Sequence, residues 1–337
     1  MVFLDYASTC PIVKFSSKQY GGFHCNPNAA YAYEERKVLM DCEERIKAAI
    51  GVKSGHVLYF RCATEAIDWL VEDIVGRAHG PYEHDSCTLG VEIAPDKVVA
   101  GDFYIHQWVN HITGEIFDLK TIRSQLPNAC KLIVDATAGF GKAKLPSGLD
   151  NIADALFMSG HKIGCPELSF MWLSDTLCEW LGAAKDIRNQ WGLHHGSLIV
   201  ASVMALTDAV EWACENGDRV DGHSVRLYVQ MNDLLDEALI EHHDVLEHQM
   251  FTCSINAIRF NGINADALQQ FLASRGVYVG VGGSACSAAH DYRVLRAYGL
   301  TDDEASEVIR VSFGEETTAR DIEALFEGIK EYRRQFC

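Results

Sequence analysis

The residues best suited to chemistry lie in two short stretches, Ile133-Val134-Asp135 and Leu156-Phe157-Met158-Ser159-Gly160-His161-Lys162. The second reads as an apolar strand running into a Ser-Gly-His-Lys turn. A lysine there can leave water at the edge of a buried site. Desolvation disfavours the ammonium form, so the amine becomes a nucleophile able to form a Schiff base. The neighbouring Ser159 hydroxyl and His161 ring carry donors that can hold a phosphate. A surface turn with a solvated lysine is the competing reading of so short a pattern. The upstream stretch argues against it, because it is a second apolar strand and it ends in an acid. A third candidate is a thiol. Of the twelve cysteines, Cys286 alone follows a run of glycines and is flanked by small residues, in Gly280-Val281-Gly282-Gly283-Ser284-Ala285-Cys286-Ser287. That composition reads as a flexible loop and suits a thiol that must reach a ligand.

A nucleophilic lysine with a strand-end aspartate is the pair that pyridoxal phosphate (PLP) enzymes use. The aspartate keeps the pyridinium nitrogen protonated, so that the ring can accept electrons. Further segments extend the pattern. His56-Val57-Leu58-Tyr59-Phe60 is a strand that runs into Ala63-Thr64-Glu65-Ala66, a helix start whose backbone N–H groups and threonine hydroxyl suit a phosphate. Glu83-His84 lies in a polar loop, and Val109-Asn110-His111-Ile112-Thr113-Gly114 follows. Gly283-Ser284-Ala285-Cys286 and Ile309-Arg310-Val311-Ser312-Phe313-Gly314 close the set. With these segments the chain resembles the class V aminotransferase group and, within it, the cysteine desulfurases, from Leu4 to beyond Thr318.

The resemblance implies an α/β fold of the PLP-dependent transferase (aspartate aminotransferase-like) type. A large PLP-binding domain, residues 14–205, would hold a mainly parallel seven-stranded sheet. A small α+β domain, residues 1–13 and 206–337, would carry the catalytic-cysteine loop. The resemblance also implies roles. Lys162 holds the cofactor, Asp135 pairs with its ring nitrogen, and His84 stacks on the ring and moves protons. Ala63, Thr64, Ser159 and His161 cradle the phosphate together with Ser197 of a partner subunit, which makes the protein a homodimer with shared sites. Arg310 forks onto the substrate carboxylate, a geometry that guanidinium suits, and His111 lies beside it. Cys286 takes sulfur from L-cysteine as a persulfide for a sulfur-acceptor protein. Several positions depart from the family pattern. Ala138 replaces a glutamine that bonds the cofactor's phenolic oxygen, and His111 replaces an asparagine. Tyr31 replaces a histidine, and Arg61-Cys62 replace Ser-Gly. The chain is also shortened after His84. Two other readings therefore accompany the desulfurase: another PLP lyase (selenocysteine lyase or C–S β-lyase), and a degenerate scaffold subunit.

The rest of the chain bounds these readings. At 337 residues and 48% hydrophobic composition it can bury a large core. A net charge of −18 argues against direct nucleic-acid binding. No apolar run approaches the roughly 18–20 residues of a membrane span, and the N-terminus lacks a secretory signal, so a cytoplasmic location is expected. No cysteine pair has C-x-x-C spacing, and His194-His195 has no further ligands nearby, so no metal site is expected. Periodicity predicts helices over Tyr33–Ile50, Leu198–Asn216, Val225 to about Ile240, Asn264–Arg275 and from about Thr317. Further strands are predicted over Lys97–Ala100, Ser254–Phe260 and Val277–Val281.

Overall fold

The computed structural model describes residues 1–23, 25–72, 76–88, 90–99, 103–246, 250–282 and 291–336. Among them the chain forms, in order, strand β1 (Val2–Leu4), helix α1 (Tyr33–Ile50), β2 (His56–Phe60), α2 (Ala63–Val71), β3 (Arg77–His79), β4 (Val91–Glu92) and β5 (Phe103–Gln107). Then come α3 (Leu119–Gln125), β6 (Lys131–Asp135), β7 (Ala155–Met158), β8 (Ser169–Leu173), α4 (Asp175–Leu181), α5 (Arg188–Trp191) and α6 (Val200–Glu237). The last third holds β9 (His243–Asp244), β10 (Ile255–Arg259), α7 (Ala265–Ser274), β11 (Val277–Val281), α8 (Arg293–Ala297), α9 (Asp302–Ala305), β12 (Val308–Ser312) and α10 (Ala319–Phe336).

Seven strands make one sheet in the order β2-β8-β7-β6-β5-β3-β4. Strands β7, β6, β5, β3 and β4 run parallel, and β8 is antiparallel to both its neighbours. Every residue of β5, β7 and β8 is buried, as expected of strands covered on both faces. Alternate residues feed opposite cores. Leu132, Val134, Leu156 and Met158 pack with α1 and the first half of α6. Ile133, Ile105 and Phe157 pack with α2 and α4 on the other side. The carboxyl ends of β5, β6 and β7 lie in register, with Gln107 opposite Asp135 and Asp135 opposite Phe157. In open α/β sheets that edge is where ligands bind.

A second sheet of five strands runs β1-β11-β12-β10-β9. It packs through Ile258, Val277, Ile309 and Val311 onto α7, α10 and the second half of α6. The chain start thus joins the sheet built by its end, with Val2, Phe3 and Leu4 paired to Val277, Tyr278 and Val279.

Two elements differ from the sequence expectation. The helices expected over Leu198–Asn216 and Val225 to about Ile240 are one 38-residue helix, α6. Gly217, just past the first expected helix, marks a close approach: a Cβ there would lie 3.3 Å from the Ala143 carbonyl oxygen. Tertiary packing of the two ends into separate cores carries the helix across it. The described part of the strand expected over Lys97–Ala100, residues 97–99, forms no strand. Pro95–Lys97 is a 3-10 turn, and the strand is β5, where five consecutive buried residues fill the sheet interior. No helix among the described residues is long and apolar enough to cross a membrane.

Candidate active site

Lys162 sits in a 3-10 turn, Gly160–Ile163, between β7 and β8. The turn needs glycine at 160, because a Cβ there would lie 2.1 Å from the Leu168 carbonyl oxygen and 2.4 Å from that of Cys165. The Lys162 amine donates to the Ala7 carbonyl, so the segment after β1 reaches the site. Burial, and the neighbouring Arg310 and Lys142 cations, lower its pKa to about 7 against the weaker pull of Asp5 and Asp135. An amine so tuned is about half free base at neutral pH, where an ordinary lysine is almost wholly protonated.

Asp135 ends β6 and is 7% exposed. One carboxylate oxygen accepts from the Thr137 N–H at 2.8 Å. The other meets the Cys87 thiol at 3.7 Å, which leaves it open to a stronger donor. Beneath it lies Glu83, fully buried rather than exposed in a polar loop. Its Oε2 accepts from the Gln107 N–H at 2.7 Å, and its Oε1 has no hydrogen-bond partner among the described residues, with His106 Nδ1 3.8 Å away. Burial and the Asp135 charge push the Glu83 carboxyl well above its usual range. Arg293 donates to the Pro81 carbonyl at 2.7 Å and to that of Glu83, which ties this loop to α8.

His84 and His111 meet edge to face with ring centroids 4.9 Å apart. His84 Nδ1 accepts from the Ser86 N–H at 3.2 Å and lies 2.9 Å from its hydroxyl. His111 Nδ1 lies 3.2 Å from Gln107 Oε1. Asn110 Oδ1 accepts from the Ile112 and Thr113 N–H groups at 2.9 Å, which fixes the turn that presents His111. Burial lowers both histidine pKa values, and nearby Lys162 and Arg310 add to the effect.

Arg310, on β12, is 2% exposed and already engaged. It donates to Asp5 Oδ1 at 2.8 Å, Ser8 Oγ at 2.7 Å and the His111 carbonyl at 2.9 Å. Its Nε is buried without a partner among the described residues. At the other end, Thr64 is exposed in the first turn of α2. Cys62 Sγ caps that helix by accepting from the Glu65 N–H at 3.4 Å. The N–H groups of Ala63 and Thr64, in the first turn, have no partner within the helix. Ser159 is buried with its hydroxyl 3.4 Å from that of Ser169, and His161 Nδ1 lies 3.0 Å from Thr9 Oγ1. Ser197 is exposed ahead of α6. Ala138 is buried and offers no polar atom. Cys286 lies outside the described residues.

The structure therefore gathers Lys162, Asp135, His84, His111 and Arg310 at the carboxyl edge of the large sheet, facing the small one. Sequence reasoning missed Asp5, Glu83, Gln107, Arg293 and Lys142. Lys142 is buried with an unpartnered amine and a pKa lowered to about 8, mainly by burial. A signal existed for Gln107, a polar residue closing an otherwise inward-facing strand level with Asp135.

Fold and site define the class: the aminotransferase class-V family model matches residues 102–325, and the chain belongs to that family. Among curated relatives, the cysteine desulfurase IscS of Mannheimia succiniciproducens is 26% identical over 98% of this chain and 92% of its own. The cysteine desulfurase IscS of Haemophilus influenzae is 26% identical over 96% of this chain and 90% of its own. A NifS-like protein of known structure superposes with a TM-score of 0.83 at 19% identity, covering 99% of this chain and 100% of that one. The expected PLP-dependent transferase fold is the fold observed.

Proposed function

We propose that this protein is a PLP-dependent cysteine desulfurase that converts L-cysteine to L-alanine and leaves a persulfide on Cys286. The observation that carries the reading is the buried Lys162 amine, tuned to about 7, beside a strand-end aspartate with one carboxylate oxygen open. That donor set fits PLP. Lys162 would hold the cofactor covalently and Asp135 its ring nitrogen. The Ala63 and Thr64 N–H groups, Thr64, Ser159 and His161 would hold its phosphate, with Ser197 of the partner subunit. When bound, PLP supplies an electron-accepting ring that stabilises the electron pair left at the substrate α-carbon.

The chain's own residues supply the rest. Arg310 binds the substrate carboxylate, its Nε free and its other donors shared with Asp5 and Ser8. Lys162 Nζ, released by the substrate amine, takes the α-proton and can return it. The Cys286 thiolate attacks the substrate sulfur. The S–S bond forms and the C–S bond breaks, its electron pair stays with carbon, and a proton completes the alanine methyl group. The persulfide then passes to a sulfur-acceptor protein. A cytoplasmic homodimer with shared sites is part of the same proposal.

The test is alanine and sulfide release from L-cysteine with a thiol reductant, in wild type, Lys162→Ala and Cys286→Ala. The reading predicts both products in wild type and neither in the variants. Turnover that survives Cys286→Ala would establish β-elimination, which needs no protein thiol. A wild type that binds PLP yet releases nothing would favour a scaffold role.

A further inference from the structure

The two facing imidazoles are not equivalent, and their partners decide which nitrogen of each is open. Gln107 Nε2 donates to the Tyr82 carbonyl, which can only accept, so the amide orientation is fixed. Its Oε1 therefore points at His111 Nδ1, 3.2 Å away. An amide oxygen cannot donate, so His111 Nδ1 carries the hydrogen and its Nε2 holds a lone pair. His84 is the reverse. Its Nδ1 accepts from the Ser86 backbone N–H, which can only donate, so its hydrogen sits on Nε2. Of the two rings, only His111 has a lone pair uncommitted among the described residues.

Resting on the desulfurase reading, we propose that His111 is the base that takes the substrate thiol proton, that His84 presents a donor N–H to the resulting sulfur anion, and that Gln107 is the positioning residue that fixes this division. In the step, the substrate S–H bond breaks as the Cys286 thiolate forms the S–S bond and the C–S electron pair goes to carbon. The S–H pair stays on the outer sulfur as a persulfide anion, and the proton forms the Nε2–H bond of a His111 imidazolium. The proton is afterwards delivered to the product carbon, so the step needs no outside reagent. The charged groups facing the two rings are Asp135, Asp85, Lys162, Arg310 and Arg293. Burial first, then the His84 ring and the three cations, disfavour protonation of His111. An arriving carboxylate and phosphate offset the cations, so the base strengthens once the site is filled. The His111 and Ala138 departures are then linked: the polar group absent at 138 is replaced by an amide on the adjacent strand that orients a histidine.

The test is nitrogen NMR of histidine tautomers in full-length, cofactor-free protein at neutral pH, with signals assigned through His84→Asn and His111→Asn. The expected pattern is Nδ1–H for His111 and Nε2–H for His84. Gln107→Leu should move His111 toward Nε2–H, whereas Gln107→Glu, which keeps the acceptor, should not. In the loaded enzyme, His111→Leu should lower kcat for alanine formation roughly hundredfold. Gln107→Leu should lower kcat more than it changes KM. An Nε2–H His111 in wild type would overturn the proposal, as would a tautomer unmoved by Gln107→Leu or a kcat that survives the flip. Absence of alanine formation in wild type would instead overturn the desulfurase reading, and with it the thiol as proton source, while the tautomer result stood.

Discussion

The two ends of the candidate site are built differently. At the ring end, Asp135, Glu83, Gln107 and Arg310 are all buried: Asp135 and Gln107 close adjacent strands, Arg310 sits within β12, and Glu83 accepts from the Gln107 N–H. Low local dielectric there moves pKa values in both directions, Lys162 down to about 7 and the Glu83 carboxyl up. At the proposed phosphate end Ser159 is buried, but Arg61, Thr64 and Glu65, at the start of α2, are exposed. The difference teaches which parts a single fold can preorganise. The end that tunes proton affinities is complete within the chain. The end proposed to grip the phosphate is largely an open helix start, and in the proposed dimer a partner's Ser197 completes it. Ile199, 68% exposed beside Ser197, is an apolar residue that such a partner would cover.

Three substitutions sharpen the contrast. The largest effect is expected from Asp135→Ala at the buried end. Removing one partner of a buried charged pair costs about 3–5 kcal/mol, so alanine formation should fall by about two to four orders of magnitude, read as kcat in the PLP-loaded protein. A loss near that of a surface residue would mean that the ring nitrogen is not held by Asp135.

Glu83→Gln should separate protonation from shape. The folded Glu83 binds its proton more tightly than the unfolded chain does, since its pKa is raised. Its contribution to stability is therefore full below the ordinary carboxyl pKa and is lost as pH rises toward the raised folded value. Over that window wild type should lose about 1.4 kcal/mol per pH unit relative to Glu83→Gln. Denaturant midpoints of the two proteins measured from acid to neutral pH check this, and parallel curves would contradict it.

The smallest effect is expected at the open end. Thr64→Val removes one hydroxyl donor to a phosphate that solvent still reaches. It should weaken PLP binding by about 1 kcal/mol, or roughly fivefold, in an equilibrium titration, with no change in the pH at which Lys162 reacts. A large shift in that pH would mean that the two ends are not independent.

Much of this was legible in the chain. Asp135 and Lys162 follow apolar strands, and a parallel sheet delivers such strand ends to one edge. The helix over Tyr33–Ile50 and the strand over Val277–Val281 were readable from apolar spacing and their glycine boundaries. What was not legible depended on contacts far apart in sequence. Asp5 meets Arg310 across nearly the whole chain, and Gln107 orients His111 only because Tyr82 fixes its amide. Glu83 read as a loop acid because its sequence neighbours are polar, but it is covered by elements from elsewhere. The helices expected over Leu198–Asn216 and from Val225 are one because two cores act on the two ends of α6.

The central claim is that Lys162 is a buried amine poised to hold PLP. It is tested most directly by incubating the protein with PLP at a series of pH values, reducing with borohydride, and locating the added mass by peptide mapping. The account predicts a single label on Lys162, absent from Lys162→Ala, with an extent that rises with pH through about 7 as the ammonium deprotonates. Label on Lys142 or on surface lysines instead, or a midpoint near the ordinary lysine value, would contradict it.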